Sequence, residues 1–572
     1  MNDHASDNTV PSSISRREWL AKLALPAAVT AGLINVDAFA APATGNTRAS
    51  HDLGARVYNI RDFGAKGDGQ ALDTTALQKA IDTCSTEGGG TVLVPSGTFV
   101  IGTVELKSNI TLHIAASGKL LGSGDGKQYH AVDAIPLEGD HTLGDGNWAL
   151  LFAVNAKNLT IEGPGTIDGQ GAQFHSAVRG TPPPSGLGGN RRPYHILVYR
   201  CENFSVRNIS MLDCAYHSIR VIQSQRVHMD SIYIHNRVNG NNDGFHFISA
   251  EYVTVSNCIV KSQDDACALF GSCKHITITN SFFSTRWSVF RFGGGVAEDI
   301  TVSNCLLHEV YGCPIKLHAD MGARFENISF SNLVLQNVTG PINFSVGPGA
   351  RGNRRQPQGD NATLPVVRNI SFSNIHGTVT TDPAQLSESS LTSGYNPGER
   401  HSCISLNCVE GSTLENISFD NIHLTFGGGG TTEDAARRDL PEFAGEYFAL
   451  GPMPAYGLYA RHARGITLNN IRFQTASPDL RPALVFDRTQ DVAVTGLAVQ
   501  GNPQAESVLR VRDSEHMLVT SPRVLNPSPA FLQIEGAGNA NIIMEGGDLS
   551  RAATPVVYKN GAREDCVKLR NI

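Results

Sequence analysis

One short phrase returns along most of this chain. It reads NLTIEG at 158, NFSVRN at 203, RVHMDS at 226, YVTVSN at 252, HITITN at 275, DITVSN at 299, NISFSN at 327 and again at 369, and NISFDN at 416. It goes on as GITLNN at 465, DVAVTG at 491, HMLVTS at 516 and NIIMEG at 541. Neighbouring copies are mostly 23 to 28 residues apart, and the wider steps hold an insertion or a second coil. Each copy alternates apolar and polar residues and then reaches Asn, Ser or Gly, which is strand-then-turn chemistry. A period of this length without helical spacing describes a stack of short parallel strands. The expected fold is all-β, a single-stranded right-handed parallel β-helix.

The 572-residue length would otherwise suggest several domains, but a repeat architecture grows by adding coils, so one domain over 57–572 is expected. At its start, DTTALQKAIDTC predicts an amphipathic capping helix. Asp73 is the N-cap, Leu77, Ala80, Ile81 and Cys84 form the buried face, and GGG at 88–90 is the stop. Such a helix covers an otherwise open end of the β-stack. The formal net charge of −7 is modest and suggests neither a nucleic-acid binder nor a polyanionic tail.

Ahead of the stack, SRREWL places Arg16 and Arg17 before an apolar run, and AFA at 38–40 reads as a cleavage site. Residues 1–40 are therefore expected to be a twin-arginine signal peptide and 41–56 a linker. The partner implied is the twin-arginine export machinery, the location periplasmic or secreted, and the mature form free of membrane. Pro26, Asn35 and Asp37 argue against an anchor reading of the same run. Because that route carries folded proteins, the 11 Cys are read as packed free thiols; Cys258 and Cys305 occupy the same place in the repeat.

Chemistry gathers in NGNNDGFHF and SQDDACALF. Asp243 in the first and the pair Asp264 and Asp265 in the second lie one coil apart, and coils stack about 4.8 Å from each other. Three carboxyls on one wall repel, which keeps at least one of them protonated. One acid and one ionised carboxylate are what glycoside hydrolysis requires, and room for a water between them implies inversion. Strand parity adds an outward file of Arg220, His246, Ala268, Arg291, Lys316 and Asn343, mostly cationic, where an anionic carbohydrate would lie.

The segments VYNIRDFGAKGDGQALDTTALQKAID, IEGPGTIDGQG, RPYHILVYRCENFSVRNISMLD, NNDG and QDDACAL together resemble glycoside hydrolase family 28, the polygalacturonase family, over roughly 57–345. The resemblance implies proton donation by Asp264 and water activation by Asp243 and Asp265. It also matches Lys316 to the lysine of the family's Arg-Ile-Lys motif and implies an acidic, pectin-like glycan as substrate, with no cofactor or metal.

Departures from the family are specific. RWS at 286–288 stands where the family has Gly-His-Gly, putting Trp287 in the His position. Pro314 replaces the first residue of Arg-Ile-Lys, and Arg220 is read in place of a histidine. Trp287 is a candidate for stacking on a sugar face. A polysaccharide lyase or uronan epimerase, using Arg291 or Lys316, and a non-catalytic glycan-binding β-helix are the alternatives on this fold. Long insertions near 176–193, 347–365, 382–400 and 427–448 carry Arg191, Arg192, Arg351, Arg354 and Arg355; if they wall the groove, the enzyme trims chain ends.

Overall fold

A computed structural model describes residues 56–137, 143–176, 181–348, 363–392 and 394–571. The expected signal peptide, all of the expected linker but Arg56, and Arg351, Arg354 and Arg355 lie outside the described residues.

The repeated phrase is the unit of the fold. The first apolar residue of each copy pairs in parallel with that of the next, from Phe204 through Val227, Val253, Ile276, Ile300 and Ile328. The same file continues through Ile370, Ile417, Ile466, Val492 and Met517 to Ile542. The result is a right-handed parallel β-helix whose 38 strands join in one continuous network of pairings.

Both ends of the phrase turn a corner. Asn327, Asn369 and Asn416 open their copies with φ of 56°, 57° and 55°, and Asn332, Asn374 and Asn421 close theirs with φ of 54°, 54° and 55°. Asn tolerates the left-handed region better than other residues with a Cβ, which explains the phrase's composition. Their amides then bond from coil to coil, Asn374 to Asn332 at 3.0 Å and Asn421 to Asn374 at 2.8 Å. Inside the stack the phrase's Phe residues lie face to face, Phe330 on Phe372 at 5.1 Å and Phe372 on Phe419 at 4.9 Å.

The capping helix spans Thr74–Thr86 and buries Leu77, Ala80, Ile81 and Cys84 as expected. Asp73 holds the N-cap position, but its carboxylate accepts from the Lys66 and Gly67 amides instead of from the helix, so it ties the cap to the preceding loop. The stack also continues past residue 550, ending in the strand Val567–Arg570. All 11 cysteines are buried, and none of them forms a disulfide. No helix among the described residues is long and apolar enough to cross a membrane.

Two insertions fold back onto the stack. In 382–400, Glu388 pairs with Lys261 at 2.7 Å, and Arg286 reaches the Gly394 carbonyl at 2.8 Å and Glu399 at 2.9 Å. In 427–448, Arg461 donates to the Leu440 and Pro441 carbonyls at 3.0 and 2.7 Å, and Asn407 to that of Glu442 at 3.0 Å.

Candidate active site

The outward file forms with the expected register. Arg220 pairs with His246, His246 with Ala268, Ala268 with Arg291, Arg291 with Lys316 and Lys316 with Asn343. Its environment is different from the expectation. Arg220, Arg291, Lys316 and His246 are only 0%, 1%, 3% and 5% exposed, because loops and the 427–448 insertion cover the strands. The middle of the file, His246, Arg291 and Lys316, therefore lines a cavity and not an open cationic groove.

That cavity, of about 340 Å³, is lined by Asp243, Asp264, Asp265, His246, Trp287, Arg291 and Lys316 from the sequence reading, together with Asp145, Tyr216, His217, Asn241, Phe270 and Glu446. Three members of the file, Arg220, Ala268 and Asn343, are not in its lining. Arg220 lies behind it, bonded to the Tyr194 hydroxyl at 2.9 Å and paired with Asp145 at 3.1 Å. Asn343 is buried next to Lys316, one coil too far along. Arg220 also does not stand in for an imidazole, since His217, three residues earlier, supplies one. The inserted Arg192 reaches the rim, over the Tyr216 ring at 4.1 Å and bonded to Asn241 at 3.1 Å.

Asp243 is presented by a turn whose asparagines are all bonded. Asn242 accepts from the Val238 and Asn239 amides and donates to the Cys214 and Tyr216 carbonyls at 3.0 and 2.8 Å. Asn236 donates to the Asp243 carbonyl at 3.2 Å. Gly244 must be glycine for space: a Cβ there would lie 2.5 Å from the Ala266 carbonyl oxygen. The second phrase is held to the first by main chain, the Gly244 amide donating to the Asp265 carbonyl at 3.0 Å and the Asp264 amide to that of Asn242 at 3.2 Å.

The carboxyls then differ in their surroundings. Asp243 is buried and meets His246 Nδ1 at 2.8 Å and His217 Nε2 at 3.6 Å. Asp264 is half-buried, accepting from Asn241 at 3.3 Å and from the Asp265 amide at 2.9 Å. Asp265 accepts from the Ser288 amide at 3.2 Å, with Arg291 Nε at 4.0 Å. Burial first, and then the neighbouring Asp264, Asp265 and Asp145 charges, push the Asp243 carboxyl well above the usual carboxylate range. Burial likewise holds both His217 and His246 well below the usual imidazole value. Burial thus favours the neutral form of both rings and of the Asp243 carboxyl, so this part of the site favours holding a proton.

His217, Asp243 and His246 are close enough together to suggest a cation site. The two rings, however, stack in parallel, 9° apart with centroids at 4.7 Å. Imidazole lone pairs lie in the ring plane, so no single ion sits in both planes. The stack instead continues an aromatic wall from Tyr216 through His217 and His246 to Phe270.

The departures from the family pattern have structural partners. Trp287 stacks on Phe448 of the second insertion at 5.9 Å, and Arg286 lies between the Trp287 and Tyr395 rings, 4.9 and 4.5 Å from their centroids. RWS therefore replaces a histidine with anchor points for two insertions.

The sequence profile of Glycosyl hydrolases family 28 matches residues 84–438. The chain belongs to glycosyl hydrolases family 28. Among its relatives, a probable polygalacturonase of Vitis vinifera is 26% identical over 306 residues, which is 52% of this chain and 58% of that protein. An exo-poly-alpha-D-galacturonosidase of Dickeya chrysanthemi is 26% identical over 340 residues, which is 50% of this chain and 56% of that protein. The chain thus spans little more than half of these two family 28 relatives. In fold it matches an exopolygalacturonase of Thermotoga maritima, with TM-score 0.54, 19% identity, and coverage of 74% of this chain and 92% of that one. A family 28 exopolygalacturonase of Yersinia enterocolitica gives TM-score 0.56 at 18% identity over 76% of this chain and 78% of the other.

Proposed function

We propose that this chain is an exported family 28 glycosidase that removes sugar units from the ends of a pectin-type, galacturonic-acid-containing glycan with inversion. The observation that carries the reading is the group of three carboxyls on adjacent coils facing one cavity, with burial raising the pKa of Asp243. Asp264 donates a proton to the departing oxygen, and Asp243 and Asp265 activate the water. Asp243 does so once its proton has passed to its neighbours, so the trio is best treated as one titrating unit. His246 and His217 are positioning residues that orient the Asp243 carboxyl.

Action at chain ends is supported by the cavity's bounds. Asp145 stands at the Arg220 end and Glu446 at the Lys316 end, with Trp287 beside them backed by Phe448. A volume of about 340 Å³ is at the small end of the roughly 300–1,000 Å³ typical of ligand pockets, which suits a chain terminus better than a passing polymer. The pectin-type substrate is carried over from the names of the relatives, and export to the periplasm or medium from the SRREWL segment.

The test is incubation with a panel of acidic plant and microbial oligosaccharides, recording product mass and the first-formed anomer by NMR. Release of single terminal units with inverted configuration is expected. Retained configuration, or unsaturated products absorbing in the ultraviolet, would overturn the assignment.

A further inference from the structure

The cavity holds more carboxyl groups than cations, an unexpected balance for a site that takes polyuronates. Five of its lining residues are carboxylic acids, Asp145, Asp243, Asp264, Asp265 and Glu446, against two cations, Arg291 and Lys316. Both cations already face a protein carboxylate. Arg291 lies 4.0 Å from Asp265, and Lys316 forms an ion pair with Glu446. A ligand carboxylate arriving at Lys316 would have to displace Glu446 or lie against it, and like charges in a partly buried site repel strongly.

Glu446 is not a loosely tethered side chain that a ligand easily pushes aside. The residues before it are fixed: the Ala444 carbonyl accepts from Ser345 at 2.9 Å, and His318 bonds the Gly445 carbonyl at 3.1 Å. The residues after it are fixed too. Tyr447 is buried with its hydroxyl on Thr339 at 2.8 Å, and Phe448 stacks on Trp287. The glutamate therefore stands at a set place in the wall, with its side chain 29% exposed and its acid turned to a lysine that is 3% exposed.

We propose that Glu446 is a specificity-determining residue. By occupying Lys316 it selects, at the position beside that lysine, a sugar without a free carboxylate, such as a methyl-esterified uronate or a neutral hexose, and disfavours a free uronate. This rests on the reading of the cavity as a glycosidase site. Lys316 then serves as a hydrogen-bond donor held in place by Glu446, and the free uronates of the glycan are left to other positions.

The experiment measures binding apart from turnover. Asp264→Asn supplies an inactive full-length protein, and titration calorimetry compares a short galacturonate oligosaccharide with its fully methyl-esterified counterpart, with and without Glu446→Gln. Adding Glu446→Gln to Asp264→Asn should shift the acid-to-ester affinity ratio toward the acid by at least about tenfold, because only the position beside Lys316 has changed. Glu446→Asp, which keeps the charge, should hold the ratio of the parent protein and guards against misfolding of the Gln variant. An unchanged ratio in Glu446→Gln, no acid binding to either protein, or the same shift in Glu446→Asp would overturn the proposal. Turnover of both ligands by the unmodified enzyme is followed separately. Hydrolysis of neither removes the glycosidase reading, a result that the binding ratio does not mimic.

Discussion

The floor of the cavity and its far wall both present carboxylates, but hold them in different ways. On the floor, Asp243, Asp264 and Asp265 are placed by main-chain bonds between adjacent coils, as in the Gly244 amide on the Asp265 carbonyl. In the wall, Glu446 is placed by side chains of the stack that grip the backbone of an insertion, as Ser345 grips Ala444 and Arg461 grips Leu440 and Pro441. A floor built from ladder bonds cannot shift without breaking a coil. A wall held by a few side-chain contacts can be rebuilt without touching the stack. The floor therefore sets whether a bond is cut, and the wall which ligand reaches it.

The largest effect should come from the floor. Asp264→Asn is expected to lower kcat by about 10²- to 10⁴-fold with circular dichroism unchanged, and full activity in that variant would break the comparison. Asp243→Asn and Asp265→Asn should be comparably harmful, and a double variant should lose little more than either alone, because the trio works as a unit.

Next comes the anchoring of the first insertion. Arg286→Ala leaves Glu399 buried without its cation, a loss of about 3–5 kcal/mol in stability. Denaturant unfolding measures it; a loss under about 1 kcal/mol would mean the insertion is held elsewhere.

A smaller effect is the pH dependence of stability. His195, His217 and His246 stay neutral in the fold, with burial taking His195 down to about 4, so below their usual value near 6.5 the unfolded chain binds protons that the native one refuses. Asp243 acts oppositely, because its raised pKa makes the native state the better proton binder above the unfolded value of 3.8. Between about pH 5 and 6.5 the imidazoles outnumber the carboxyl, so the thermal midpoint should rise with pH. Asp243→Asn removes the opposing contribution and should steepen that slope by up to about 1.4 kcal/mol per pH unit; a shallower slope would place the stored proton elsewhere.

The smallest effect should come from the wall. Phe448→Ala removes one aromatic stack, about 0.5–1.5 kcal/mol, and should raise KM several-fold while longer products appear alongside single units. An unchanged product pattern would show that Phe448 does not hold Trp287 in its place in the cavity lining.

How far these regions could be read from sequence follows from how each is held. The file from Arg220 to Asn343 was found residue by residue because strand parity carries from one coil to the next, and a residue's partner is fixed by counting. Burial of that file was not legible, since it depends on covers from outside the repeat. Glu446 lies 130 residues from Lys316, and Gly394 lies 108 residues from Arg286. No period connects such pairs. His217 had a visible signal, an imidazole three residues before Arg220 at the start of a strand, but the comparison with the family's histidine settled on Arg220 instead. RWS and Pro314 were legible as departures, whereas the role of Trp287 as a support for Phe448 needed the insertion to be seen in place.

The buried cysteines turn the solenoid into a ruler for its own unravelling. Thiols stand at intervals from Cys84 in the capping helix, through Cys201, Cys258, Cys305 and Cys408, to Cys566 near the far end. Burial pushes Cys84, Cys201 and Cys305 up to about 11 and Cys258 and Cys408 up to about 12, so an alkylating reagent finds almost no thiolate until a coil opens. The order in which these positions gain label during slow denaturation would record, coil by coil, whether the molecule peels from its ends or fails first beside the acids.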